Sequence, residues 1–475
     1  MAEEFTCPVD EIYRSACKDL PKYSGSRYCV LHEPDKAKDT KEFEKVRENK
    51  LARRDYDFGG TIFPEGASDF KGTEFDTAAN FGGASFFGDV YFQEAQFSGE
   101  TNFQEARFSG QETYFNGAQF NGPRTNFVRA QFSGEETYFA GAQFSGYTHF
   151  KEAQFSGQET YFHFAQFSGP RTSFVGAQFS GARTYFDGAQ FSGATTFFNR
   201  ARFSGARTFF AGAQFSGETY FREATFVNEV TFSGATFREK VDFRGSKANP
   251  IFLSGAWARF DSSRIEKPEQ LKFNTVLLHP GWFINADVRK VNFTDVKWYG
   301  MPGGPKGTLD EEIGALKQQG DIEAPHTLLA QTCRRLSANA EENREYPLAN
   351  EFHYWSMDSL RKEGSGRLGL IGTLYWALSG YGVRAAQAFW MLVGIWAVFT
   401  TLYVLVNPSE FGVFRQGICY FWQAGVYSLL AIARLNPEPR PDEPGLFQLL
   451  VGLEGIFGPL QIALLALAIR RQVMR

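Results

Sequence analysis

Three cysteines and a histidine lie within the first 32 residues of the sequence. Cys7, Cys17 and Cys29 are separated by nine and eleven residues, and His32 follows Cys29 in the spacing C-x-x-H. Three thiolates and one imidazole form the donor set of a closed tetrahedral zinc site with no open position for a substrate. We expect these four residues to bind a structural zinc ion, which would hold together a segment too short to build its own core. The alternative is that the three cysteines are buried free thiols.

Glu454 is the only charged residue in an apolar stretch near the C-terminus, residues 446–469. An ionisable side chain in such a stretch usually faces protein or water rather than lipid. Glu454 is therefore expected either to support a neighbouring pore segment from behind, with Arg434 or Tyr427 as its partner, or to line a conduction path.

Glycine and proline residues follow this glutamate at Gly455, Gly458 and Pro459. Such residues loosen or kink a helix, so we predict a gating hinge here. The alternative is close helix packing through small residues.

The sequence lacks the residue patterns of an enzyme. It contains six histidines, no glycine-rich phosphate loop, no nucleophile paired with a base and no group of clustered carboxylates. We therefore expect no catalytic site.

Two apolar segments are long enough to cross the roughly 30 Å hydrocarbon layer of a membrane. Residues 385–406 contain no charge and residues 446–469 contain only Glu454. Basic residues precede the first segment and follow the second, so the positive-inside rule places both ends in the cytoplasm. The first residues contain no apolar stretch typical of a secretory signal. We expect a multi-pass cell-membrane protein whose N-terminus, long N-terminal region and C-terminus are cytoplasmic.

A third apolar stretch, residues 415–432, lies between these two segments. A further crossing would place one basic flank on the wrong side, so we predict a re-entrant pore helix. The order of span, pore helix, loop and span resembles the two-helix potassium-channel superfamily, with YSLLAIARLNPEP where that superfamily has its filter. The resemblance covers residues 367–475. It implies that Ile432, Arg434, Leu435 and Asn436 line the pore for inorganic ions. Because two spans cannot enclose a pore, it also implies a homo-oligomer, a tetramer.

The predicted filter departs from the potassium-channel pattern. No glycine occurs from Leu430 to Pro437, whereas a ladder of carbonyl ligands for potassium needs glycines. We therefore predict no potassium selectivity. Four copies of Arg434 would form a positive ring that favours anions. Alternatively, Arg434 reaches the outer lipid headgroups or pairs with a carboxylate.

The long N-terminal region is dominated by phenylalanine, with 52 Phe in the chain against five Met. Stretches such as TYFDG AQFSG AR place Phe at the centre of five-residue units, with Ala or Thr two residues earlier. In an extended strand these two positions share one face, so large and small residues would alternate inside a narrow tube. This pattern resembles the pentapeptide-repeat family, and the segment YCVLHEPDKAKDTKEFEKV resembles a leader of such proteins. The resemblance implies a right-handed quadrilateral β-helix over residues 56–300, with about eight coils between Phe58 and Phe243.

Charges in this region are mixed, with 19 Asp or Glu against 13 Lys or Arg between residues 58 and 243. A protein that mimics DNA needs a strongly acidic stripe, so we expect no nucleic-acid partner or nucleic-acid-like role.

The predicted fold class is therefore mixed, a pentapeptide-repeat solenoid followed by an α-helical two-span membrane domain with a re-entrant pore helix. The predicted domains are an N-terminal zinc segment at 1–55, the solenoid at 56–300, a helical neck at 301–366 and a pore-like domain at 367–475. Within the last we expect a slide helix at 367–380, spans at 383–406 and 446–469, and the pore helix at 415–432. The favoured function is an oligomeric, ion-channel-like membrane protein, either anion-selective or non-selective. The alternative is a membrane-anchored scaffold that binds a cytoplasmic protein.

Overall fold

Phenylalanine and alanine side chains fill the interior of a parallel β-solenoid with four faces. The computed structural model describes residues 6–18, 20–35, 38–318, 323–364, 367–406, 419–433 and 445–473. Within them the chain forms two compact units, Met1–Tyr299 and Gly300–Arg475. The first unit contains the solenoid, and the second is α-helical.

Each face of the solenoid is a parallel sheet of very short strands. The first face consists of Ile62–Phe63, Ser85–Phe86, Arg107–Phe108, Gln131–Phe132, Gln154–Phe155, Gln178–Phe179, Arg202–Phe203 and Thr225–Phe226. The second consists of Glu74–Phe75, Gln96–Phe97, Gln119–Phe120, Gln143–Phe144, Gln166–Phe167, Gln190–Phe191, Gln214–Phe215, Thr236–Phe237 and Arg264–Ile265.

The third face is the longest, with ten strands. It consists of Ala79–Asn80, Thr101–Asn102, Arg124–Asn126, Tyr147–His149, Arg171–Ser173, Thr195–Phe197, Glu218–Tyr220, Val241–Arg244, Leu271–Asn274 and Asn292–Thr294. The fourth consists of Val90–Tyr91, Glu112–Tyr114, Glu136–Tyr138, Glu159–Tyr161, Arg183–Tyr185, Arg207–Phe209, Glu229–Thr231 and Trp257–Arg259. One further pair joins Leu277–Leu278 to Lys297–Trp298.

The interior follows from the register of the repeats. Phe97, Phe120 and Phe144 are direct partners on successive strands. The rings of Phe120 and Phe144 stack with their centroids 4.8 Å apart and their planes 2° apart. These rings are fully buried, and burial of each is worth about 1.5–3 kcal/mol. The predicted large and small interior positions are confirmed, because the repeat alanines and threonines are buried beside the rings.

Glycine is required at the Ser-Gly corners, where successive coils approach closely. A Cβ atom added to Gly157 would lie 1.9 Å from the carbonyl oxygen of Gly134, on the coil before it. Since that oxygen belongs to the backbone, no side-chain adjustment relieves the clash.

The solenoid extends beyond the last regular repeat. Between Arg244 and Trp298 the repeats are irregular and contain 3₁₀ helices at Pro268–Gln270 and Pro280–Phe283. Strand pairing nevertheless continues through Leu271–Asn274 to Asn292–Thr294. The expected count of about eight coils between Phe58 and Phe243 is confirmed by the eight strands of the first face, and the irregular repeats add further coils beyond Phe243.

A non-repetitive segment lies over the first coil. It contains a 3₁₀ helix, Glu11–Cys17, and helix α1, Thr40–Ala52. The Asp39 side chain caps α1 by accepting hydrogen bonds from the first-turn amides. The Phe43 ring of α1 packs edge-on against Phe63, with centroids 5.3 Å apart.

The second unit consists of helices. They are α2 (Leu309–Gln318), α3 (Pro325–Glu342), α4 (Tyr346–Glu363), α5 (Arg367–Ser379), α6 (Ala385–Val406), α7 (Cys419–Ile432) and α8 (Gly445–Val473). Helices α3 and α4 form an antiparallel hairpin, and α6 packs against both α7 and α8. Two helices, Ala385–Val406 and Gly445–Arg471, are long and apolar enough to cross a membrane. The predicted fold class, a four-faced β-solenoid followed by helices with two candidate spans, is confirmed.

Candidate metal centre and buried carboxylate

The four predicted metal ligands lie together in the N-terminal segment. One donor atom from each of Cys7, Cys17, Cys29 and His32 can be chosen so that all four lie within 4.8 Å of one another. Nδ1 of His32 is 3.2 Å from Sγ of Cys29 and 3.8 Å from Sγ of Cys7. In a tetrahedral site with Zn–S distances of about 2.3 Å, two sulfur atoms are about 3.8 Å apart. The donor set therefore fits a zinc ion in both size and chemistry.

The tautomer of His32 also suits a metal ligand. Nε2 is 2.9 Å from the carbonyl oxygen of Gly59. Because a carbonyl can only accept, Nε2 carries the proton and Nδ1 presents its lone pair to the cysteines. Burial lowers the pKa of His32, so the ring is neutral at pH 7. Such a hydrogen bond on the far nitrogen is the usual support of a metal-binding histidine.

The thiols are held in an environment that disfavours thiolates without a cation. Burial raises the pKa of Cys17 to about 11 and raises that of Cys29 further. The amide of Cys29 nevertheless points at Sγ of Cys7, at 3.4 Å. A bound metal ion would supply the charge that makes the thiolate forms stable.

Two buried lysines fix the backbone around the cysteines. Nζ of Lys38 donates to the carbonyl oxygens of Val30 and Leu31 at 2.6 and 3.2 Å. Nζ of Lys50, on α1, donates to the carbonyl oxygen of Ala16 at 3.2 Å. These bonds attach the backbone beside Cys17 and the backbone beside Cys29 to the rest of the segment.

Glu454 forms the second candidate site and is fully buried among α6, α7 and α8. Its carboxylate accepts hydrogen bonds from the hydroxyl groups of Tyr403 on α6 and Ser428 on α7. The Ser428 bond is 2.5 Å long. Glu454 on α8 thus joins all three helices. The sequence predicted Arg434 or Tyr427 as the partner of Glu454. Arg434 lies outside the described residues, and Tyr427 packs its ring against Tyr403 with centroids 5.3 Å apart. The observed hydroxyl donors are different residues, because Tyr403 and Ser428 face α8 directly.

Helix α7 is also bound to α6 through Trp396. Its indole Nε1 donates to the carbonyl oxygen of Gly425 at 2.9 Å. A Cβ atom at Gly425 would lie 3.1 Å from the indole ring, so glycine permits this approach. Helix α7 is therefore held by polar contacts as well as by apolar packing.

The predicted hinge residues lie along α8 in different surroundings. A Cβ atom at Gly458 would lie 2.9 Å from Cα of Ile432, whereas one at Gly455 would meet nothing within 4 Å. Gly458 thus brings α8 against the predicted pore residue Ile432. Pro459 lies inside α8. The other predicted pore residues, Arg434, Leu435 and Asn436, lie outside the described residues.

Helix α4 contacts the beginning of α6 and the end of α8. Arg384 and Glu351 form a bidentate ion pair, in which Nη1 and Nη2 lie 2.6 and 2.7 Å from the two carboxylate oxygens. The side-chain amide of Asn350 donates to the carbonyl oxygen of Arg471 at 3.2 Å. Both the beginning of α6 and the end of α8 therefore lie against α4, at one end of the helical unit.

Comparison with known proteins identifies the repeats. A family model described as pentapeptide repeats (nine copies) matches residues 58–107, 81–131, 92–142 and 198–247. The solenoid is a pentapeptide-repeat domain. No curated protein and no solved structure matches the chain significantly. The family match therefore lies within the solenoid, at residues 58–142 and 198–247, and does not reach the helical unit.

Sequence reasoning missed the hydroxyl partners of Glu454 and a buried glutamine. Gln461 of α8 donates from Nε2 to the carbonyl oxygens of Leu378 and Ala388, both at 2.8 Å. Polar residues are scarce in the apolar helices that follow the pentapeptide-repeat domain. Their scarcity was the available signal, because each such residue needs a partner when it is buried.

Proposed function

We propose that this protein is an oligomeric membrane protein whose C-terminal helices form an ion-channel-like module. The observation that carries the proposal is that Glu454 joins the short apolar helix α7 to both candidate spans. A membrane anchor needs only the two spans, whereas a pore module needs a third segment held at a fixed depth.

The proposed topology places both ends of the spans in the cytoplasm. Its support is the attachment of α4 to the beginning of α6 and to the end of α8, together with the basic residues at these positions. The pentapeptide-repeat domain then lies in the cytoplasm, where it can serve in assembly or sensing. Two spans per chain call for a homo-oligomer, and we propose a tetramer embedded in lipid.

The proposed ion selectivity is not of the potassium type, because glycine is absent from Leu430 to Pro437. Arg434 is proposed to face the permeating ions and to favour anions. An Arg434→Glu variant would then shift the reversal potential toward cations. An unchanged reversal potential would remove Arg434 from the selectivity mechanism.

Zinc is proposed as a structural cofactor of the N-terminal segment. The support is the close approach of the four donor atoms and the Nδ1 lone pair of His32. The ion would hold the segment in place over the first coil of the solenoid. Four protein ligands leave no position for a reacting water, so no catalytic role is proposed.

Conductance of the purified protein in a planar bilayer, with asymmetric salt, tests the proposal. We expect single-channel currents from the wild type and their loss in Glu454→Leu, which removes the acceptor shared by α6 and α7. The matched control is Leu453→Ala, on an exposed part of α8, which should retain the currents. No current from the wild type under ligands or membrane tension would favour the membrane-anchored scaffold instead.

A further inference from the structure

A groove on one corner of the pentapeptide-repeat domain is lined by three arginines. Arg200, Arg222 and Arg244 occupy successive coils and line an open groove of about 360 Å³, together with Glu223 and a wall formed by Val175, Asn199 and Gly245. The corner positions are close in space because coils of a parallel solenoid repeat about every 4.8 Å.

Ion pairs hold two of these arginines in fixed positions. Arg200 Nε donates to Glu223 at 2.9 Å, and Arg222 Nε donates to Asp242 at 2.8 Å. Asp242 is fully buried and is also 3.7 Å from a terminal nitrogen of Arg244. The carboxylates therefore set the direction of the guanidinium groups before any ligand arrives.

The ion pairs leave donors unused. Arg200 and Arg222 bond through Nε, and within the described part of the chain their terminal nitrogens donate no hydrogen bond. Each guanidinium group therefore keeps its two terminal nitrogens, which carry paired N–H donors. Three guanidinium groups against Glu223 and Asp242 leave one net positive charge at the groove.

We infer that this groove binds a phosphate group, carried by a small soluble molecule or by a lipid headgroup. Oriented guanidinium forks are the preferred partners of phosphate in proteins. A phosphate presents at least three acceptor oxygens, so it can accept from guanidinium forks on two coils together, whereas a single fork already occupies both oxygens of a carboxylate. The inference does not depend on the pore.

The same corner supplies a matched control at Arg129. It too uses Nε, donating to Glu152 at 2.8 Å, but its terminal nitrogen lies 3.6 Å from a second carboxylate, Glu105. Arg129 thus lies between two acidic residues. Lys151 is also 3.4 Å from Glu152, so the two cations and two carboxylates at this position leave no net charge. A ligand attracted only by a surface arginine would not distinguish Arg129 from Arg222.

Binding of inorganic phosphate and of dioctanoyl phosphatidate to the full chain in neutral detergent micelles tests the inference. We expect saturable binding of at least one of these probes, weakened about tenfold or more by Arg222→Gln or Arg200→Gln and less than about twofold by Arg129→Gln. Phosphate binding would indicate a soluble ligand. Binding of phosphatidate alone, with dioctanoyl phosphatidylcholine not bound, would indicate a lipid headgroup. Absence of saturable binding of both probes, or an equal loss in Arg129→Gln, would overturn the site. Unchanged circular dichroism of the variants excludes misfolding. Arg200→Gln is the decisive variant, because Arg200 pairs with the partly exposed Glu223 and not with the buried Asp242.

Discussion

Replacement of Gly458 by alanine should separate α8 from α7. The new Cβ atom would lie 2.9 Å from both Cα and Cγ1 of Ile432, whereas carbon atoms pack best at about 3.5–4.0 Å. One of the contact atoms belongs to the backbone of α7, so the helices must move apart by several tenths of an ångström. Overpacking of this kind costs about 1–3 kcal/mol.

Gly455→Ala is the matched control, one turn earlier on the same helix. A Cβ atom there would meet nothing within 4 Å, so the variant should gain helix propensity, worth up to about 1 kcal/mol. Because both variants make this gain, the difference between their free energies of unfolding isolates the packing cost. We expect Gly458→Ala to be less stable than Gly455→Ala by about 1–3 kcal/mol.

The assay is unfolding of the purified protein in mixed micelles by sodium dodecyl sulfate, followed by helical circular dichroism. This signal reports mainly on the C-terminal unit, since α1 is the one α-helix described in the first unit. Equal stability of the two variants, within about 0.3 kcal/mol, would refute the contact between α7 and α8. Loss of current in Gly455→Ala without any loss of stability would instead support a hinge at that residue.

Four further predictions follow from contacts described above. Removal of zinc by a chelator should lower the unfolding temperature of the first unit by at least about 5 °C in calorimetry, and an unchanged transition with no zinc by metal analysis would exclude the site. In chelated protein, burial raises the pKa of Cys17 from 9 to about 11. The buried neutral thiol therefore adds stability below pH 9, and this contribution should disappear as the pH rises toward 11, but not in Cys17→Ser. Tyr403→Phe should cost about 0.5–2 kcal/mol in micelles, and nearly nothing once Glu454 is leucine; equal costs in both backgrounds would mean that the two groups do not interact. Gly157→Ala should cost more than about 3 kcal/mol because its Cβ atom meets a backbone oxygen, while Gln154→Ala on the exposed face should stay within about 0.5 kcal/mol.

The solenoid could be read from the sequence because one physical rule repeats. A Phe with Ala or Thr two residues earlier fixes which side chains point inward, and Gly at the corners fixes where coils touch. That rule holds for strands of two or three residues, whatever side chains occupy the outward-facing positions of the solenoid. The count of about eight coils applies to the regular repeats up to Phe243. Beyond them the pairing continues: Phe273 pairs with Phe243, and Leu271 pairs with Val241 at the position where regular repeats have Ala or Thr.

The candidate sites were predictable to different degrees. The cysteines and His32 were recognisable because their donor chemistry is distinctive even at irregular spacing. Gly59, which fixes the tautomer of His32, gave no signal because any residue offers a carbonyl oxygen. The donors to Glu454 depend on the rotation of α6 and α7 about their axes, and this is determined by packing rather than by local sequence.

The segment over the first coil has a consequence for how the chain folds. Strands on successive coils, such as Glu136–Tyr138 and Glu159–Tyr161, have nearly identical sequences. A strand can therefore pair almost equally well with the wrong neighbour. The contact of Tyr13 with Gly60 and Gly83 is specific, unlike the pairing of these strands. A Cβ atom at either glycine would collide with the tyrosine side chain. This contact therefore marks one coil as the first. A chain that leaves the ribosome N-terminus first can begin on this first coil and add coils in order. Without the N-terminal segment, strands paired with the wrong coil should accumulate.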